Sequence, residues 1–256
     1  MTSLKKIRNQ IFRQLHQGNM RHCIYCGNSA NRFLSIGSKA PRLKKIGAIG
    51  ISRRKNGGCP FCGSSDRSRL LRLYLTKELE EINGKKKILH IAPDDKLARW
   101  LCTQPQIDYN CGALFPEDFS EFNAFELDVS NINLPDNYAD IILCNHVLQQ
   151  VPNHIKAMHE LSRILKPGGW AIIQAPIAAK LNSMDEDLTL SDSREKRQRF
   201  GSTLHCRIYG KDYAQVLQSN GNWHVSKITP ADFLTQDEIT HNSLIENEII
   251  YRVDAI

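Results

Sequence analysis

Residues Leu134–Pro176, LPDNYADIILCNHVLQQVPNHIKAMHELSRILKPGGWAIIQAP, decide the fold. Ala139 to Cys144 reads as a continuous apolar strand of the kind buried in a parallel sheet. Val151 to Leu165 then places Met158, Leu161, Ile164 and Leu165 on one helical face. Lys166-Pro167-Gly168-Gly169 stops that helix, and Trp170 to Ala175 is a second strand. Strand, helix and strand in so short a span make a βαβ unit, whose two strands run parallel.

The same alternation continues outward. Ile88 to Ala92 reads as a strand, Asp94 to Cys102 as a helix and Ile107 to Leu114 as a strand. Phe122 to Leu127 is a further strand that ends at Asp128. On the other side, Lys211 to Ser219 reads as helix, and Trp223 to Ile228 and Glu248 to Val253 as late strands. Lys180 to Arg199 is charged and poorly patterned, as in a long loop or lid. Residues 85–256 are therefore expected to form an α/β domain with a mostly parallel sheet and helices on both faces.

Residues 1–84 read differently. Seven glycines between Gly27 and Gly63 interrupt any periodicity, and such a segment cannot build much core alone. A helical stripe begins only at Ser64–Glu81, through Leu70, Leu71, Leu73, Tyr74, Leu75 and Leu79. Ser64, Ser65 or Asp66 would cap it, and Asn83-Gly84 would end it. Two Cys-x-x-Cys pairs, Cys23/Cys26 and Cys59/Cys62, supply the missing staple. Each is followed by a glycine that permits a tight turn. Four thiolates complete a closed tetrahedral set that suits a structural Zn²⁺ and leaves no position for water. Cys102, Cys111, Cys144 and Cys206 stand alone in apolar surroundings and are expected in the core.

The chain has 256 residues, 41% apolar and 24% charged, which excludes collagen-like, mucin-like and largely disordered classes. Its apolar runs are too short to span a bilayer. Met1 to Arg13 is basic without an apolar h-region, unlike a secretory signal. The expectation is a cytoplasmic protein without a membrane span. Charge is segregated: 20 Lys or Arg face 4 Asp or Glu from Met1 to Lys87, and 14 face 23 thereafter. A basic segment either holds phosphates or is a solvated face.

In an open α/β sheet, ligands lie beyond the carboxyl ends of the strands. Those ends carry His90-Ile91-Ala92-Pro93-Asp94, Gly112-Ala113, Leu127-Asp128, Asn145-His146 and Gln174-Ala175-Pro176. With Leu134–Ile142 and Leu165–Gly169, the chain resembles the class I S-adenosylmethionine-dependent methyltransferases. Cys59–Leu71, Leu89–Pro93, Cys144–Pro152 and Phe200–Tyr213 resemble a zinc-knuckle subfamily associated with bacterial polysaccharide biosynthesis. The resemblance implies a Rossmann-like, seven-stranded sheet and S-adenosylmethionine as cofactor. It places His90, Ala92, Pro93, Asp94, Asp128, Val129 and Asn145 at the cofactor. Ala113 stands where the family carries a ribose-binding acid, with Glu117 or Asp118 as loop substitutes. Leu148-Gln149-Gln150-Val151 replaces Leu-Glu-His-Val. His146 and His205 are candidate general bases, and Arg207 and Tyr209 are candidate acceptor contacts. Arg67 and Arg69 are the basic residues expected nearest the cleft.

The implied function is methyl transfer to an O or N acceptor, such as a small molecule, sugar or glycan intermediate. Two rivals remain. One is an RNA methyltransferase holding nucleic acid on the basic zinc segment, which lacks the interleaved aromatics of a stacking platform. The other is a degenerate methyltransferase fold serving as a non-catalytic binding subunit, which Ala113 and Gln149-Gln150 favour.

Overall fold

The computed structural model describes residues 16–256, so the reading of Met1 to Arg13 lies outside the described residues. Seven strands share one sheet: β1 (Lys86–Ile91), β2 (Ile107–Ala113), β3 (Phe125–Glu126), β4 (Ala139–Asn145), β5 (Leu165–Gln174), β6 (Trp223–Ile228) and β7 (Ile250–Ala255). Their spatial order is β3-β2-β1-β4-β5-β7-β6. Strands β1 to β5 pair in parallel, and β7 is antiparallel to both neighbours. This is the mostly parallel, seven-stranded sheet expected. The order reverses between β1 and β4, where an open sheet leaves a crevice for ligands.

Among the described residues the α-helices are α1 (Pro41–Lys45), α2 (Asp66–Glu80), α3 (Asp95–Leu101), α4 (His154–Ile164), α5 (Ser193–Phe200), α6 (Tyr213–Ser219) and α7 (Gln236–His241). Strand alternation loads both faces of the sheet. Leu89, Ile142, Cys144 and Ile173 pack with α4 and α6. Ile88, Ile141, Leu143 and Ile172 pack with α2, α3 and α7. Leu161 of α4 is fully buried; truncating such a leucine to alanine costs about 2–5 kcal/mol.

Local chemistry sets the boundaries. Ser65 caps α2 by accepting from Ser68 N, Asp94 caps α3 from Leu97 N, and Asn153 caps α4 from Lys156 N. Helix α4 therefore starts at His154, later than the apolar pattern implied. Strand β5 starts earlier, because Leu165 already pairs with Ala139 before the glycine turn. Gly168 holds φ +70°, and a Cβ on Gly169 would lie 2.6 Å from Asp140 O, so the turn needs both glycines. Strand β3 is shorter than expected because Pro116–Phe122 winds into 3₁₀ turns that end on left-handed Asn123.

The N-terminal segment is stitched to the sheet domain. Its two-residue strand Ala48–Ile49 pairs with Ile177–Ala178, directly after β5. The stretch read as a loop or lid contains helix α5, capped by Asp192. Phe200 of α5 and Leu43 of α1 share a small core with Ala178 and Ile208. Asp185 ties the two helices together by accepting from both Arg42 and Arg199. Cys111, Cys144 and Cys206 are buried as expected, but Cys102 is exposed, just past the end of α3. No helix among the described residues is long and apolar enough to cross a membrane.

Candidate functional site

The four paired cysteines converge. Their sulfurs lie within 4.8 Å of one another, with Cys23–Cys62 at 3.6 Å and Cys26–Cys59 at 3.8 Å. A tetrahedron of Zn–S bonds near 2.3 Å has edges of about 3.8 Å, so this donor set fits zinc. Gly27 and Gly63, both at positive φ, turn the two knuckles and return their amides to Cys23 O and Cys59 O. Phe61 N donates to Cys59 Sγ at 3.4 Å. Fully buried Arg69 has no carboxylate ion-pair partner among the described residues, and it donates to Ser64 O, Gly57 O, Asn242 O and Ser243 O. Burial lowers its pKa, while Cys23 and Asp66, followed by Cys59 and Cys62, push it back up. A buried cation needs nearby negative charge, and four thiolates around a divalent ion carry two net negative charges. Arg69 thus faces the cysteine cluster and not the cleft.

A cavity of about 620 Å³ opens at the carboxyl ends of the strands, lined by Ala92, Ala113, Asp118, Asp128, Val129 and Leu204 among others. Of the two loop carboxylates considered beside Ala113, Asp118 lines this cavity and Glu117 does not. Asp128 Oδ1 accepts from Ser130 N and Oγ, both at 2.8 Å. This closes a local turn and leaves Oδ2 without a partner among the described residues. Ala92 holds φ +46°, a conformation costing a non-glycine residue roughly 1–3 kcal/mol. Its N–H donates to Gly112 O at 2.9 Å. Pro93 is buried beside it and precedes the capping Asp94.

A second, polar cavity of about 220 Å³ also borders Ala92, and is lined by Arg67, Ser68, Asp94, Asn145, His146 and Gln174 among others. Both amide atoms of Asn145 and Oε1 of Gln174 are buried without a hydrogen-bond partner among the described residues. Arg67 reaches in from α2. It donates to Gly50 O, and its Nη1 lies 2.7 Å from His146 Nε2. A guanidinium only donates, so His146 is the acceptor and its ring is neutral. Burial, followed by the Arg67 charge, holds the His146 pKa well below its ordinary value. Gln149 and Gln150 donate to His146 O at 2.6 and 3.0 Å, bracing a residue at φ +58°. A glutamate at 149 has no such donor. Nearby Glu248 is buried, with Oε2 unpartnered among the described residues. Burial raises its pKa to about 7 against the pull of Arg67 and Arg54.

Asn145 and His146 thus meet at the polar cavity, and Ala92, Asp128 and Val129 at the large one. Asp94 also lines the polar cavity, whereas His90, Pro93, His205, Arg207 and Tyr209 line neither. His90 is buried against Tyr109, with Nδ1 3.1 Å from the phenol oxygen, and burial lowers its pKa to about 4. His205 Nδ1 donates to Phe200 O, and its Nε2 lies 3.4 Å from Gln149 Nε2. Burial lowers its pKa to about 4 as well. Arg207, expected to clamp an acceptor, is wholly buried and donates to Leu148 O, Val151 O, Pro152 O and Glu186. It pins the late loop to the turn after β4 and has no group left for a ligand. Tyr209 is likewise interior, with its hydroxyl 2.9 Å from His154 Nδ1. Sequence position marks Gln174 only as a strand end and Glu248 only as the start of a late strand; their surroundings depend on neighbours remote in the chain.

Residues 96–173 match the methyltransferase domain family. No curated protein matches the chain. Among solved structures, CurJ carbon methyltransferase is 12% identical with a TM-score of 0.48, covering 73% of this chain and 54% of its own. The chain thus spans about half that protein's length. YcgJ from Bacillus subtilis is 16% identical with a TM-score of 0.41, covering 71% of this chain and 95% of its own. Phosphoethanolamine N-methyltransferase 2 from Haemonchus contortus is 12% identical with a TM-score of 0.45, covering 75% and 53%. The methyltransferase-domain match runs from α3 into β5, and so spans strands on both sides of the crevice at the β1–β4 reversal.

Proposed function

We propose that the protein moves the methyl group of S-adenosylmethionine to an oxygen or nitrogen acceptor and releases S-adenosylhomocysteine. The observation that carries this reading is the pair of cavities meeting at Ala92. The large one, with Asp128 and Val129, suits an adenosine. The polar one, with Asn145, suits a charged amino-acid head. The sulfonium would then lie near Ala92, between them. The reaction is a displacement in line with the departing sulfur, so the protein's main task is to align acceptor and methyl. The Ala92-Pro93-Asp94 loop and Asn145 are the residues we assign to the cofactor, and the four cysteines to a structural zinc.

The acceptor is proposed to be a small molecule, in keeping with the sugar-pathway resemblance of Cys59–Leu71 and Phe200–Tyr213. The basic N-terminal segment keeps RNA as an alternative. One observation favours a non-catalytic binding subunit instead: Ala113 lines the large cavity where a ribose-binding acid is expected. Calorimetry with S-adenosylhomocysteine, followed by a labelled-methyl screen over nucleotide sugars, glycans and RNA, tests all three readings. Cofactor binding with transfer to one class identifies the acceptor. Binding with no transfer to any class favours the subunit. Failure to bind removes the enzyme reading.

A further inference from the structure

The cysteine cluster and the polar cavity are joined by the first turn of α2. Cys59 N donates to Ser64 O at 2.9 Å. Ser64 Oγ lies 3.1 Å from Cys23 Sγ and 3.3 Å from Cys62 Sγ. Arg69 holds Ser64 O from the other side at 2.7 Å. The knuckle therefore fixes the residue before the Ser65 cap, and with it the start of the helix. Within that first turn, Ser65, Arg67 and Ser68 line the polar cavity. Ser68 Oγ donates to Asp94 Oδ2 at 2.7 Å, while Tyr25, from the first knuckle, donates its hydroxyl proton to Ser68 O at 2.9 Å. Both knuckles thus hold the turn that forms one wall of the cavity.

That wall faces unmet demand. Arg67 has no carboxylate ion-pair partner among the described residues, and Asn145 and Gln174 present the unpartnered amide atoms opposite it. A half-buried cation beside empty hydrogen-bonding positions suits a ligand carboxylate, and the amide oxygens suit an ammonium group. We propose that metal binding at Cys23, Cys26, Cys59 and Cys62 and binding of an amino-acid head in this cavity are thermodynamically linked through residues 64–68. The proposal rests on the methyltransferase reading, in which S-adenosylmethionine supplies that head. The zinc segment is then part of the cofactor site as well as a staple. Linkage is reciprocal: whatever factor the metal adds to cofactor affinity, the cofactor adds to metal affinity.

The test uses the full, zinc-loaded chain. Zinc is withdrawn by a chromophoric chelator at equilibrium, alone, with saturating S-adenosylhomocysteine, and with saturating adenosine. Adenosine fills the large cavity without offering a head. S-adenosylhomocysteine is expected to tighten zinc retention about tenfold or more, the equivalent of losing a hydrogen bond to a charged group. Adenosine is expected to leave it unchanged. In Arg67→Met the zinc-loaded chain is expected to bind S-adenosylhomocysteine without altering zinc retention. Equal retention with all three, or an equal gain from adenosine and S-adenosylhomocysteine, overturns the linkage while the methyltransferase reading stands. If calorimetry shows no S-adenosylhomocysteine binding to the zinc-loaded chain, both readings fall.

Discussion

Arg67 Nη1 lies 2.7 Å from Nε2 of His146, so the ring at the mouth of β4 is already engaged as an acceptor. A proton placed there would face a guanidinium at contact distance. That makes His146 a poor store for a proton taken from a methyl acceptor, despite its position. The ring is expected to stay neutral from pH 5.5 to 8 when followed by NMR of the histidine Cε1. In Arg67→Met it is expected to titrate closer to the ordinary value near 6.5. A native ring that titrates with a midpoint above 6 would restore His146 as a base.

Loss of the metal is expected to unfold the N-terminal knuckles, because metal binding there is folding free energy. Elemental analysis should find one zinc per chain, and Cys59→Ser should abolish it and expose the segment around residues 17–65 to protease. Metal well below one equivalent, with a Cys59→Ser chain as protease-resistant as the native one, would contradict the assignment.

Glu248 carries a pH signature opposite in sign to that of a salt-bridged acid. Its folded pKa of about 7 lies above the unfolded value of 4.5, so the native state binds more protons between these limits. Stability is therefore lost as pH rises from about 4.5 to 7, and the penalty is complete above that window. Glu248→Gln should stabilise the chain at pH 8 by on the order of 3 kcal/mol and leave it unchanged below pH 4.5. Denaturant titrations at the two pH values check this; a uniform effect would place the cause outside the ionisation.

Arg207 should behave as a structural residue. Arg207→Met leaves the carboxylate of Glu186 and three carbonyls without their shared donor, and should cost about 3–5 kcal/mol in denaturant unfolding. Arg207→Lys should rescue little, since one ammonium cannot span that array. A stable Arg207→Met chain with only a raised acceptor KM would return this residue to ligand binding.

The apolar end of β2 predicts weak hold on a ribose. Ala113→Asp should tighten S-adenosylhomocysteine binding about tenfold or more, since hydrogen bonds to a charged group contribute roughly 1.5–3 kcal/mol. Asp118→Asn should weaken it if that loop carboxylate already serves the hydroxyls. Calorimetry distinguishes these outcomes: a large Asp118 effect with none from Ala113→Asp shows that the loop has taken over the role.

Much of this architecture was legible because the strands and long helices bury one period each. Ile88 to Ile91 and Ile141 to Cys144 alternate between two cores, and burial on both faces is what makes such strands read as near-continuous apolar runs. The cysteine pairs were legible because knuckle spacing is local. Helix α5 was not: SREKRQRF has one apolar residue, Phe200, and its order comes from packing on Leu43 some 150 residues away in the chain. The surroundings of Arg207 were not legible for a related reason. A lone arginine in a loop does not reveal whether carbonyls or solvent will meet it. The Ser68–Asp94 contact and the unpartnered Asn145 amide depend on three segments meeting, which no single window contains.

The antiparallel insertion of β7 sets the order in which the molecule can be finished. Residues 250–255 lie between β5 and β6 and pair with both. A chain emerging from the ribosome can assemble β1 to β5 early, but β6 has no neighbour until β7 arrives. Two of the carbonyls that hold Arg69, on Asn242 and Ser243, are made just ahead of β7. Until then the nascent protein carries an open edge on β5, of the kind that recruits foreign strands. Synthesis of residues 242–255 therefore closes the sheet and anchors the cysteine-bearing segment at nearly the same moment, and a ribosome stalled before them leaves both undone.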